Sequence, residues 1–167
     1  MTVFSGYIDG VGAFDIRPLD LGSLTVPPRS PMGGQIPGIP IFVQAREHKA
    51  AGELAYLIPE RVDFPGVDLR LLQGEAQVLP GLRVVPTPGH TPGHQSLVVE
   101  DRGGPVVLAG QAAYTVAEFV DPEREPARGL KTAYDQHEFL KSLTHLRALK
   151  PQRVYFSHDE RVWEPPS

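Results

Sequence analysis

The sequence predicts a layered α/β domain of sandwich type. Short strands follow one another directly, only two helical stretches interrupt them, and turn-forming residues punctuate the whole chain. A regular strand–helix–strand series would instead have argued for a parallel sheet wound with helices. The chain has 167 residues, 41% of them hydrophobic and 22% charged, which suits one domain and is too apolar for disorder. A chain of this size buries roughly 70% of the surface it exposes when unfolded. Pro (18) and Gly (17) are frequent without forming a repeat, and they mark tight turns between short elements.

Residues 1–15 hold three glycines and no clear period, and read as an arm. Ile16 to Leu21 reads as a short edge strand. Thr25 to Pro40 carries Pro27, Pro28, Pro31, Pro37 and Pro40 together with Gly33, Gly34 and Gly38. Proline cannot donate to a sheet ladder and biases its predecessor away from helix, so this segment is an irregular connector. Ile39 to Val43 reads as a buried strand and Arg46 to Leu57 as a short helix stopped by Pro59. Leu69 to Leu72 and Ala76 to Leu79 flank Gln73-Gly74-Glu75 in a hairpin pattern. Leu82 to Val85 is a strand that runs into the loop from Pro86 to His94. Gln95 to Glu100 and Pro105 to Gly110 form a second hairpin around Asp101-Arg102-Gly103-Gly104. Residues 121–133 read as a charged loop. Asp135 is an N-cap with Glu138 three residues on, an acidic form of the capping box. Phe139, Leu140, Leu143, Leu146 and Leu149 then share one helical face, and Pro151 ends that helix. Arg153 to Phe156 is the last strand and leads to Ser157-His158-Asp159.

The net charge is -4, with Lys and Arg scattered along the chain. Without a basic stripe, nucleic acid is not an expected partner. No apolar run approaches the roughly 20 residues of a membrane span. No charged start followed by an apolar core suggests a signal peptide, and a cytoplasmic protein is expected. The absence of cysteine removes disulfides, thiol nucleophiles and thiolate metal sites together. Any metal must be held by nitrogen and oxygen.

Of the six histidines, His90, His94 and His158 sit just past predicted strand ends, where a side chain is held firmly and still open to solvent. Neutral imidazole is a common ligand for zinc and related metals. A lone loop histidine is more often a hydrogen-bonded surface residue. His137 and His145 lie off the apolar face of their helix and are expected to be solvated, and His48 has charged neighbours. Ser96 and Ser157 lack a nucleophile-elbow context, and neither Gly33-Gly34 nor Gly103-Gly104 has the pattern of a phosphate loop.

The order of features changes the weight on those histidines. Thr87-Pro88-Gly89-His90-Thr91-Pro92-Gly93-His94 follows a strand, a hairpin ends in Val107-Leu108-Ala109-Gly110-Gln111, and a helix and strand lead to Phe156-Ser157-His158-Asp159. This order resembles the C-terminal half of the metallo-β-lactamase superfamily. The likeness runs from about Ile36 to Val120 and returns at Arg153 to Asp159. Pro40 to Gln44, Val62 to Gly66 and Gln111 to Thr115 are similar to the acyl-homoserine lactonase branch, and Phe14 to Val26 resembles its first strand. The resemblance implies a metal-dependent lactone hydrolase fold. It makes His90 a ligand of a first metal, position 111 the carboxylate bridging two metals, and His158 a ligand of the second. It makes Tyr114 a tyrosine over the metals that hydrogen-bonds a substrate carbonyl, and His94 a support for the loop. The glycines at 89 and 93 are expected to let the backbone turn tightly.

Two departures from that pattern count for more than the matches. The signature His-x-His-x-Asp-His is absent: Gly33-Gly34 stands where its trailing glycines belong, but Pro27-Pro28-Arg29-Ser30-Pro31-Met32 precedes it. Strands expected between the first strand and this point are missing as well, as though an internal block had been removed. The bridging position is Gln111, a neutral amide. A zinc site takes three or four protein ligands, and His90, Gln111 and His158 offer one weak mononuclear zinc site or none. The expected fold is therefore a single shortened metallo-β-lactamase-like αββα sandwich, mainly its C-terminal half, with an irregular arm over 1–35 and the sheet and helices over 36–167. Two functions follow: a non-catalytic binding or interaction protein, or a residual metal-dependent hydrolase of lactones or other esters. The small-molecule ligand would be a lactone or ester. A missing partner sheet leaves apolar surface, so a homo-oligomer or a partner protein covering it is expected.

Overall fold

The computed structural model describes residues 4–8, 12–16, 40–54, 68–123 and 135–166. Nine strands and three helices lie among them. β1 (Phe4–Ile8) and β2 (Gly12–Ile16) pair antiparallel, so most of the stretch read as an arm is a strand pair. Its alternation is diluted by glycines, which hides the strand signal. The Thr25 to Pro40 connector, apart from Pro40, lies outside the described residues, as do residues 17–21 of the expected edge strand and residues 124–133 of the charged loop.

β3 (Ile41–Gln44) runs into α1 (Ala45–Leu54) and returns to β4 (Leu69–Leu72), which pairs with β3 in parallel. β5 (Ala76–Leu79), β6 (Leu82–Pro86), β7 (Gln95–Asp101) and β8 (Gly104–Leu108) form an antiparallel meander. β9 (Arg153–Tyr155) joins it parallel to β8, giving a five-stranded sheet in the order β5-β6-β7-β8-β9.

The hairpin expected between β4 and β5 does not form: the two strands belong to different sheets. Gly74, at φ 95°, carries the chain from one sheet to the other. Gln44 fixes that turn by mimicking a peptide: its amide donates to the Gly74 carbonyl at 2.9 Å and accepts from the Gly74 N–H at 3.0 Å. Local alternation marks both strands and says nothing of their partners. The second expected hairpin, β7 with β8, forms as read.

Side chains alternate across β7 and β8, so Val98 opposite Val107 faces one side and Val99 opposite Val106 the other. Val98, Val107 and Val85 pack with Phe139, Leu143 and Leu146 of α3 (Gln136–Ala148) in the main core. Val99 and Val106 form a smaller cluster with Leu82 and Tyr155 on the opposite face. A fully buried Leu or Phe side chain contributes about 1.5–3 kcal/mol, so the α3 stripe is a principal anchor of the sheet. α3 begins as its sequence implies, with the Asp135 carboxylate accepting from the Glu138 N–H at 3.0 Å. It ends before Pro151, with Lys150 at φ 52°. α2 (Val116–Val120) was not foreseen, because five residues are too few to show a helical period. Among the described residues no helix is long and apolar enough to cross a membrane.

Candidate functional site

The loop between β6 and β7 is closed by its own backbone, Thr87 N–H donating to the His94 carbonyl at 2.8 Å. Two neighbours hold it from outside. On one side it lies on α3: a Cβ on Gly89 would stand 2.5 Å from the Phe139 Cα, and Ser142 Oγ donates to the Pro88 carbonyl at 2.6 Å. On the other it meets α1, whose Glu47 carboxylate accepts from Thr91 Oγ1 and from the Gly93 N–H, each at 2.7 Å. The two glycines therefore differ in purpose. Gly89 has φ 139° and needs glycine for its conformation. Gly93 needs it for closeness, since a Cβ there would fall 2.2 Å from the Glu47 nitrogen.

His94 ties this loop to the turn after β8, and its proton can be placed by counting donors. Ser96 Oγ spends its hydrogen on the Ala109 carbonyl at 3.0 Å, so at 2.9 Å it must accept from Thr87 Oγ1. Thr87 Oγ1 then has only lone pairs left for His94 Nδ1 at 2.9 Å, and Nδ1 carries the proton. Nε2 is left as an acceptor and takes the Gln111 backbone N–H at 3.1 Å. Burial, with the neighbouring His90, lowers the His94 pKa to about 4 against a lesser opposing pull from the Thr87 carbonyl. The ring is neutral at pH 7 and locks Gln111 in place.

Three of the expected site residues come together. His90 is buried, and its Nδ1 lies 3.1 Å from the Tyr114 hydroxyl. Tyr114 also stacks on exposed His158, with ring centroids 4.6 Å apart. One tyrosine ring thus touches both imidazoles. Burial lowers the His90 pKa, opposed by Glu47 and reinforced by His158. Burial, then Glu118, raises that of Tyr114. Gln111 shares with His90 and Tyr114 the wall of a cavity of about 500 Å³, which Val43 and Glu47 also line. Tyr114 is positioned by its backbone: its N–H donates to Glu118 at 2.6 Å and its carbonyl accepts from the His158 N–H at 3.3 Å.

The carboxylates near this cluster are committed elsewhere. Asp159 accepts from the Val116 N–H at 3.0 Å and pairs with Arg161 at 2.8 Å, and Arg161 leads the contacts that draw its pKa down to about 2. Among the described residues no group of three His, Asp or Glu side chains could hold a metal ion. His137 and His145 are exposed on α3 and His48 lies half-buried on α1, none of them in the cavity wall. The residue sequence reasoning missed is Glu47, an ordinary first-turn acid of α1 with no local motif to single it out.

A profile of the metallo-beta-lactamase superfamily matches residues 24–158. An N-acyl homoserine lactonase from a Bacillus species is 36% identical over 125 residues, covering 72% of this chain and 47% of the relative. The solved structure of a Bacillus thuringiensis lactonase mutant with N-decanoyl-L-homoserine bound at its active site superposes with a TM-score of 0.62 at 32% identity, over 74% of this chain and 48% of that one. An N-acyl homoserine lactone hydrolase with N-hexanoyl-L-homoserine bound at its catalytic metal centre gives the same TM-score, identity and coverage. The chain spans about half the length of the curated relatives it matches. Matched over residues 24–158, the chain thus belongs to the metallo-beta-lactamase superfamily, with close similarity to N-acyl homoserine lactonase.

Proposed function

We propose that this chain is a non-catalytic binding protein derived from the lactonase-like hydrolases, its cavity kept and its binuclear metal centre lost. The observation that carries this reading is the donor set at the site: His90, Gln111 and His158 are two imidazoles and an amide, none of them an anionic ligand. Two dications held close together need anionic ligands to offset their charge, and a bridging amide supplies none. The nearby carboxylates of Glu47 and Asp159 already accept hydrogen bonds that hold the loop and α2. These residues do not fit a binuclear centre.

A second reading is favoured by the proximity of His90, Tyr114 and His158. In it one metal is held by His90, His158 and Gln111, and Tyr114 orients a lactone or ester. Elemental analysis of protein purified without chelator, combined with lactone hydrolysis assays, separates the two. Substoichiometric metal and no turnover after zinc is added are expected. One metal per chain, with a lactonase rate abolished by His90→Ala, would replace the first reading with the second.

A further inference from the structure

The geometry points to a new ligand class for the cavity: an uncharged molecule that presents a carbonyl and an N–H side by side, as a carboxamide or lactam does. This inference rests on the non-catalytic reading above.

It follows from a count of hydrogen-bonding groups. His90 and Tyr114 share one hydrogen bond at 3.1 Å, and it can be written in two ways. If Tyr114 donates to Nδ1, the imidazole Nε2–H is left as a donor and the phenol oxygen as an acceptor. If Nδ1–H donates to the phenol oxygen, the hydroxyl is left as a donor and Nε2 as an acceptor. In both cases the neutral pair offers the cavity one donor and one acceptor. Gln111, on the same wall, has no hydrogen-bond partner for its side-chain amide among the described residues; only its backbone N–H is engaged, with His94. That amide adds a carbonyl and an NH₂.

The site therefore offers donors and acceptors together. The wall carries one carboxylate, Glu47, whose partners Thr91 and Gly93 are neutral donors, so an anionic ligand is opposed there. A carboxylate ligand would leave the acceptors opposed, and an ester or lactone would leave them unmatched. An amide matches both kinds of group, and the cavity of about 500 Å³ admits a small ring with a substituent.

The test uses two rings of nearly the same shape that differ in one N–H. 2-Pyrrolidinone, γ-butyrolactone and acetate are titrated separately into the full chain, followed by the Gln111 side-chain and His90 ring nitrogen resonances. 2-Pyrrolidinone is expected to bind about tenfold more tightly than γ-butyrolactone, the scale of one net hydrogen bond. Gln111→Met, verified as folded by the same spectrum, is expected to remove that preference. Equal or tighter binding of γ-butyrolactone or acetate, or no saturable shift with 2-pyrrolidinone, overturns the inference. Those failures leave the metal and turnover measurements untouched, whereas lactone turnover that depends on His90 removes the reading beneath it.

Discussion

At His94 the two ring nitrogens meet opposite demands, and a proton on Nε2 would set two N–H groups against each other at the Gln111 backbone. The folded chain therefore holds this histidine neutral, with a pKa of about 4 against 6.5 for an unperturbed imidazole. Between those values the unfolded state binds more protons, so stability falls as pH drops from about 6.5 towards 4 and levels off below that. The full window corresponds to about 3 kcal/mol. Urea unfolding across this range should show the loss, and His94→Leu should flatten the profile. Of the candidate site, strand ends marked His90 and His158 in the sequence, whereas Gln111 and Tyr114 entered only through the resemblance to the metallo-β-lactamase superfamily. Glu47 was not visible, since its partners Thr91 and Gly93 lie 44 and 46 residues away and nothing in its own helix announces them.

Among the elements, α1 makes the sharpest contrast between two glycines. Gly93 receives the helix backbone so closely that an added Cβ would sit 2.2 Å from Glu47 N, whereas Gly52 within α1 has nothing within 4 Å of a new Cβ. Gly93→Ala should cost about 1–3 kcal/mol through overpacking, and Gly52→Ala should add about 0.5–1 kcal/mol by restricting the unfolded chain. Thermal unfolding of the two variants checks both signs. Elements with strong periods, β7, β8 and α3, were legible because burial on a defined face writes the pattern. The pairing of β4 was not, because a sheet partner supplied through α1 leaves no mark on β4 itself. Gln44 settled that choice by seizing the Gly74 peptide.

For the whole molecule, a covering partner is a proposal, and Leu71 on β4 and Leu79 on β5, each 50% exposed, are the residues through which it is tested. Sedimentation is expected to reveal self-association that weakens in a Leu71→Glu, Leu79→Glu double variant, and a clean monomer would count against it. The five-stranded sheet has a further consequence, in time rather than space. β5 to β8 pair with sequence neighbours, but β9 pairs with β8 only after the chain has travelled through α2 and α3. Closing so long a loop is entropically late work, so the meander is expected to form the nucleus and β9 to dock afterwards. Val154, fully buried at the centre of β9, is then expected to lie outside the transition state. Val154→Ala should destabilise the chain by roughly 2 kcal/mol, and stopped-flow traces should register nearly all of it as faster unfolding rather than slower folding.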